Sequence, residues 1–264
     1  MARDNISGLT YLTIGDEPAL IERDLAERAI IIVADIVRLN PSLIDNVSHV
    51  VKDRVDQILR QGCKFSAHVA KGGNGRSKDL TSSLVSAAGT SCQDLELEGH
   101  LNRVGVVSYN IANVMGMDNP AKNRVRLGAR LHDLGKLDRE MHRIMGEENI
   151  LSSERKAKIR LHPQIGARVA EYFEFPEEIT NFILKHHFRA DGSGYPNQNG
   201  AILTPEVGIL GVADALDSMI KPRPGKEIKN IPEALQEIRD GSGGHFHPEA
   251  VQALSKVAIQ SIYR

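Results

Sequence analysis

The stretch Leu131-His132-Asp133-Leu134-Gly135-Lys136 decides how the rest of the chain is read. It sets an imidazole beside a carboxylate, with an ammonium three residues after the Asp. The apolar residues Val125, Leu127, Ala129 and Leu131 before it, and the glycine after it, predict a helix that ends here. A neutral imidazole and a carboxylate suit borderline-hard cations such as iron, manganese or zinc, and a carboxylate can bridge two of them. Alone, such a pair is a weak signal, because polar dipeptides are common at helix ends.

The other histidines add weight. His100, His132, His162, His186 and His187 each lie in or beside a segment with a helical apolar pattern. Glu96 and His100 are four residues apart and share a helix face. Asp214 lies in Ile209-Leu210-Gly211-Val212-Ala213-Asp214-Ala215-Leu216, where an unpaired carboxylate is costly to bury. One buried histidine is usually satisfied by a hydrogen bond. Several converging His and Asp groups on apolar helices are hard to satisfy without a cation.

Composition removes several classes of function. A net charge of −1 advertises neither a nucleic-acid polymer nor an anionic membrane, so an anionic substrate must be drawn by local cations. With no Trp, six Phe and five Tyr, a stacking platform for single-stranded nucleic acid is not expected. Cys63 and Cys92 show no ligand spacing and no disulfide framework. They fit a cytoplasmic protein, as does the polar, mixed start from Met1 to Asp16. The longest strongly apolar stretch, Ala29 to Ala34, meets Asp35, so no transmembrane span is expected.

Helical spacing runs from Glu17-Pro18 to Leu39, then from Ser42 to Gln61 after the Asn40-Pro41 break. Further helices are predicted over 94–117, 120–136, 152–173, 176–187, 205–219, 232–239 and 248–262. No period-2 run reads as a strand, so the chain is all-α. The division expected is an N-terminal helical region, 1–90, and a second unit, 91–264, that carries the histidines. The basic, glycine-rich stretch 71–79 lacks the order of a phosphate-binding P-loop and reads as a surface loop.

From His186 the chain reads His186-His187-Phe188-Arg189-Ala190-Asp191-Gly192-Ser193-Gly194-Tyr195-Pro196. This resembles the signature of the HD-GYP family, a subgroup of the HD metal-dependent phosphohydrolases, which typically have His-His-Glu, two residues, then Asp-Gly-x-Gly-Tyr-Pro. The resemblance covers roughly residues 90–260. In order, it takes in His100 before Asn102-Arg103-Val104, His132-Asp133 with Gly135-Lys136, and His162-Pro163 followed by Gly166. After the signature come Val212-Ala213-Asp214 with Asp217, Arg223-Pro224, and Phe246-His247-Pro248.

What the resemblance implies is an HD/HD-GYP helical bundle with bacterial cyclic di-GMP phosphodiesterase activity, giving linear pGpG, GMP or both. His132, Asp133, His162, His186, His187 and Asp214 resemble the metal ligands, Asp133 being the bridge. His100 matches the first motif histidine, and Glu96 an extra carboxylate of members with three ions. Two or three divalent ions are implied, iron or manganese by family association, although this ligand mix would also accept zinc. Such ions would bind a non-bridging phosphate oxygen, turn a bridging water into a hydroxide nucleophile and stabilise the leaving oxygen.

Lys136 is expected to neutralise the phosphate. Arg223 and Lys226 resemble the cationic pair that reaches the substrate phosphates. Asp191 is expected near the substrate, orienting a histidine ligand by a hydrogen bond, with Tyr195 beside it. In the family the Gly-Tyr-Pro loop is connected with binding diguanylate cyclase domains.

Phe188 stands where the family usually has Glu, and Gly225 replaces the usual Tyr. The stretch after Lys136 reads Leu137-Asp138-Arg139-Glu140-Met141-His142 and lacks the family's proline-bearing loop. These departures keep two rivals open: another HD-type phosphohydrolase acting on a different cyclic dinucleotide or a mononucleotide, and a metal-bearing binding or signalling module. The N-terminal hairpin is a regulatory element or a homodimer contact in the latter. His49, His68, His142 and His245 have no place in the ligand set and are expected to be surface or locally bonded residues.

Overall fold

The computed structural model describes residues 18–39, 41–60, 84, 95–145, 152–197, 200–221 and 227–263. Within them the chain is helical, with an isolated bridge between Ser242 and Phe246 and no strand among the described residues. The helices are α1 (Pro18–Leu39), α2 (His49–Arg60), α3 (Leu95–Val114), α4 (Asn119–Leu131), α5 (Arg139–Met145) and α6 (Ser153–Ile159). They continue as α7 (His162–Tyr172), α8 (Glu177–Lys185), α9 (Pro205–Ile220), α10 (Ile231–Asp240), α11 (Pro248–Leu254) and α12 (Ile259–Ile262). Short 3-10 turns cover Pro41–Asn46 and Leu134–Leu137.

Several helix starts are written in local chemistry. The side chains of Asp118, Ser152 and Thr204 accept hydrogen bonds from the amides of Ala121, Arg155 and Val207. Asn230 and Glu233 form a reciprocal capping box at α10. Pro120, Pro163, Pro205, Pro232 and Pro248 sit in first turns, where a missing N–H costs nothing.

The all-α reading holds, and the differences lie in where helices stop. The segment expected over 120–136 ends at Leu131 and reverses through the turn at 134–137. The cause is tertiary: a Cβ on Gly135 would lie 2.0 Å from the His162 carbonyl oxygen, so the backbone is pressed directly onto α7. The segment expected over 152–173 breaks at Arg160–Leu161 into α6 and α7. Likewise 42–61 opens as a 3-10 turn before α2, and 248–262 breaks between α11 and α12. The Gly-rich stretch 71–79 lies outside the described residues.

Helices α3 and α4 pack as a pair, α9 lies on both, and α11 packs against α3 and α9. Helix α8 bridges α4 and α7. Helix α1 packs on α7 and α2 on α1, with Leu25, Ala29, Val33 and Ile36 buried in the same core as Leu131 and Ile165. Burial of each large aliphatic side chain contributes about 1.5–3 kcal/mol, so apolar contact holds α1 in place.

A polar link adds register. Arg28 donates from Nε to Asp138 Oδ2 at 2.9 Å and from Nη2 to Oδ1 at 2.6 Å, while Asp138 also accepts the Met141 amide at the start of α5. The departure at Leu137-Asp138 thus carries a cap and an anchor for the N-terminal helix. No helix among the described residues is long and apolar enough to cross a membrane.

Candidate metal centre

Three helix ends deliver three imidazoles to one point. His132 follows the last residue of α4, His162 opens α7 just after α6 ends, and His186 follows α8. The last carbonyls of a helix lack an in-helix donor. Here the rings use them: Nδ1 of His132, His162 and His186 lies 2.7, 2.7 and 2.6 Å from the carbonyl oxygens of Ala129, Ile159 and Ile183. A carbonyl can only accept, so Nδ1 carries a hydrogen and Nε2 is the inward atom, open to an ion or a proton.

Those atoms converge. His162 Nε2 is 3.0 Å from His186 Nε2 and 3.2 Å from His187 Nε2. His100 Nε2 is 3.4 Å from His132 Nε2 and 3.3 Å from Asp214 Oδ1. Asp133 stands between the groups. Its Oδ1 lies 3.2 Å from His162 Nε2 and 3.8 Å from His186 Nε2, while Oδ2 lies 3.3 Å from His132 Nε2 and 3.5 Å from His100 Nε2. The carboxylate therefore turns one oxygen to each half, the placement expected of a bridge.

The donor chemistry fits metal ions. Ligands about 2.0–2.2 Å from one ion stand roughly 3 Å from each other, the spacing found here. His162, His186 and His187 form one group able to hold an ion, and His100, His132 and Asp214 another. Asp133 is fully buried, and its Oδ1 has no hydrogen-bond donor among the described residues. A buried carboxylate oxygen facing imidazole lone pairs is costly unless a cation stands among them.

Without ions the two halves hold protons differently. Burial opposes a charge on His100, but hydrogen bonds to Asp133, Asp214 and Asp217 outweigh it and push this imidazole up to about 10. Burial also opposes charge on His132, and Asp133 nonetheless raises it. On the other side, burial and the neighbouring His162 push His187 down to about 3, and His162 and His186 are lowered chiefly by burial. Asp133 and Asp214 stay ionised: burial works against them, and the imidazoles, with Lys136 at Asp133, hold both well below the usual carboxylate range. Protons stand on the carboxylate-rich half where a cation would otherwise sit.

The other expected site residues sit as follows. Lys136 Nζ lies 2.5 Å from Asp133 Oδ2, its carboxylate partner in this structure. The Tyr195 ring stacks on His187 with centroids 4.3 Å apart and planes 27° from parallel. The loop closes this far because Gly194 has no side chain: a Cβ there would lie 2.2 Å from the His187 carbonyl oxygen. Asp191 is exposed and accepts the Ser193 amide at 2.9 Å, so it shapes the loop; among the described residues its carboxylate meets none of the histidines expected as ligands. Pro196 is buried, leaving Asp191 to Ser193 as the outward part of the signature.

Phe188 takes its place in the apolar core, 8% exposed. His49 and His245 are exposed as expected. Arg223, Lys226, Gly225 and His68 lie outside the described residues, as do the side chains of Glu96 and His142.

Two residues had no assigned role in the sequence reading. Arg160, exposed at the end of α6, places its guanidinium 5.4 Å above the Tyr195 ring, a cation–π contact at the rim of the centre. Asp217, 1% exposed, accepts from His100 Nδ1 at 2.7 Å. A signal for the latter was present: Asp217 follows Asp214 by three residues on α9, so both carboxylates point the same way.

Comparison with known proteins agrees with this geometry. The family model described as HD domain matches residues 90–250. A cyclic di-GMP phosphodiesterase of Thermotoga maritima is 36% identical over 65% of this chain and 48% of its own length. A 3'3'-cGAMP-specific phosphodiesterase of Vibrio cholerae is 26% identical over 67% of this chain and 34% of its own length. The chain thus spans less than half the length of these curated relatives. Among solved structures, Bd1817, an HDG"Y"P protein from Bdellovibrio bacteriovorus, shares the fold at a TM-score of 0.50 and 21% identity, covering 66% of this chain and 63% of that one. The resemblance to HD-GYP proteins is borne out by these relatives, and the chain belongs to the HD domain family, whose members are metal-dependent.

Proposed function

We propose that this chain is a phosphodiesterase that opens a cyclic dinucleotide, cyclic di-GMP first among them, to linear pGpG or onward to GMP. One observation carries the reading: buried Asp133 turns one oxygen to each of two imidazole groups, and its Oδ1 has no hydrogen-bond donor among the described residues. Two or three divalent ions, iron or manganese, would be held by His100, His132, Asp133, His162, His186, His187 and Asp214, with Glu96 for a third. When bound, they supply Lewis acidity toward the phosphate and a water of lowered pKa.

The remaining work falls to the chain. Asp133 holds the two halves in register, and Lys136 offsets negative charge beside it. Arg223 and Lys226 bind the phosphates that flank the scissile bond, a role that suits a forked guanidinium. Tyr195 pins the His187 ring by stacking and forms the wall on the substrate side, and Asp191 shapes the loop that carries it. Residues 1–90 act on the 91–264 unit as a regulatory segment, a role supported by the packing of α1 on α7 and the Arg28–Asp138 pair.

A second reading has its own support. Phe188 is buried where a glutamate is usual, and a relative is named for cGAMP, so a different cyclic dinucleotide fits the same centre. The test is a panel of cyclic dinucleotides and mononucleotides, incubated anaerobically with iron- or manganese-loaded protein. Linear product from cyclic di-GMP is expected, and none after His132→Ala with Asp133→Ala. Turnover of cGAMP alone selects the second reading. Full ion occupancy without turnover of any of them sinks both, and leaves a binding module that meets a partner such as a diguanylate cyclase domain through Asp191 to Ser193.

A further inference from the structure

His100 differs from the other buried imidazoles in what stands behind it. His132, His162 and His186 sit at helix ends and use carbonyls that the ending helix leaves open. His100 lies inside α3, where neighbouring carbonyls serve the helix itself. Its Nδ1 turns instead to Asp217 Oδ2 at 2.7 Å, on another helix. Asp217 is in turn clamped from α3: Arg103 donates from Nε to Oδ1 at 2.7 Å and from Nη2 to Oδ2 at 3.1 Å. The guanidinium has room because Gly99 is a glycine; a Cβ there would lie 2.8 Å from Arg103 Nη1.

This arrangement fixes the direction of His100. With Nδ1–H given to a carboxylate, Nε2 faces Asp214 Oδ1 at 3.3 Å and Asp133 Oδ2 at 3.5 Å. A carboxylate behind an imidazole also makes it a more basic ligand than a carbonyl does. The donors around His100 and His132 thus include Asp214, a share of Asp133 and the backing charge of Asp217. Those around His162, His186 and His187 are three imidazoles and the other share of Asp133. Hard, oxygen-preferring cations favour the former set and borderline cations the latter.

We propose that Asp217, clamped by Arg103, is the positioning residue that aims His100 and makes the two ion positions unequal. The His100/His132/Asp214 position is the harder, manganese-preferring one, and the His162/His186/His187 position the zinc- or iron-preferring one. The inference rests on the metal-centre reading and extends it to selectivity.

The test titrates the metal-stripped chain of 264 residues with manganese and with zinc, reading stoichiometry by elemental analysis and bound manganese by paramagnetic resonance. Wild type is expected to bind both ions at two affinities. Asp217→Ala is expected to weaken one manganese equivalent by about 10–100-fold, the usual effect of losing such a partner, and to leave the tightest zinc equivalent within about twofold. His187→Gln should do the reverse. The retained zinc equivalent reports that the variant is folded; if Asp217→Ala does not fold, Asp217→Asn keeps the volume and removes the charge, with the same expectation in smaller measure. Equal weakening of both equivalents, or of neither, overturns the asymmetry while leaving the metal centre standing. A wild-type chain that binds no ion overturns the metal centre and this inference with it.

Discussion

His162 and His186, in one half of the centre, are anchored on helix ends, whereas His100, in the other, is anchored on a carboxylate held by an arginine. In the first, the backbone supplies the anchors, so any residue types that end the helices at those points leave the carbonyls available. In the second, the anchor is a side chain on α9, so it depends on one carboxylate and on its clamp. The same ring thus serves as a low-basicity ligand in one place and a strongly basic one in the other. The carboxylates that face the ligand and the group that stands behind it set the difference together.

Several experiments break or sharpen that contrast. The largest effect is expected from Asp133→Ala, which removes the group common to both halves. Both ions should be lost together, and phosphodiester hydrolysis should fall by about a thousandfold or more, in line with several kcal/mol of lost charge stabilisation. Elemental analysis with a product assay checks this, and retention of one tightly held ion would show that the halves do not share Asp133.

Next comes Gly135→Ala, where the added methyl meets the His162 carbonyl. A destabilisation of about 3 kcal/mol in urea unfolding is expected, at the upper end for overpacking, and both halves should suffer because the turn joins Asp133 to α7. An unchanged midpoint would mean the turn can move without cost.

The pH dependence of the metal-free protein separates the halves most directly. His187 is held down to about 3, against an ordinary histidine value of about 6.5, so the unfolded chain binds the extra proton between those limits. Stability from this group is present above about 6.5 and is lost as the pH falls toward 3. His100 is pushed up to about 10, so the folded chain binds the extra proton; that stability is present below about 6.5 and is lost as the pH rises through about 10. Metal-free stability should therefore peak near pH 6.5. His187→Gln should flatten the acid side and His100→Gln the alkaline side, each read by thermal unfolding across a pH series. A symmetrical response to either variant would contradict the assignment.

The smallest effect is expected from Arg28→Met. Loss of a charged, partly buried pair should cost about 2 kcal/mol, with ion stoichiometry unchanged, because Arg28 and Asp138 meet beyond the 134–137 turn and belong to neither ligand group. Loss of one ion alone would place α1 on one side of the centre.

Much of this was open to reading in the chain itself. The apolar spacing of 205–219 or 94–117 is a local property and marks a helix wherever the helix packs. Pro120, Pro205 and Pro248 mark helix starts for the same local reason. The order His100, His132-Asp133, His162, His186-His187, Asp214 was named by the resemblance to the HD-GYP signature, and the cost of burying several polar side chains unpaired agrees with their meeting.

Helix ends were less open. The break at 132–134 goes with Gly135 pressing against the His162 carbonyl, a contact between residues far apart in the chain. The outward turn of Asp191, the burial of Phe188 in the core and the seating of α1 on α7 are likewise outcomes of packing.

By itself, then, the sequence determined that the chain is helical, because periodicity acts over a turn or two and needs no distant partner, and its resemblance to the HD-GYP signature named the imidazoles with Asp133 and Asp214. Only the tertiary structure decided that Asp133 divides its oxygens between two groups and that Asp217, not a carbonyl, stands behind His100. Those choices are made where helices from separate parts of the chain pack side by side, and no spacing along the chain records them.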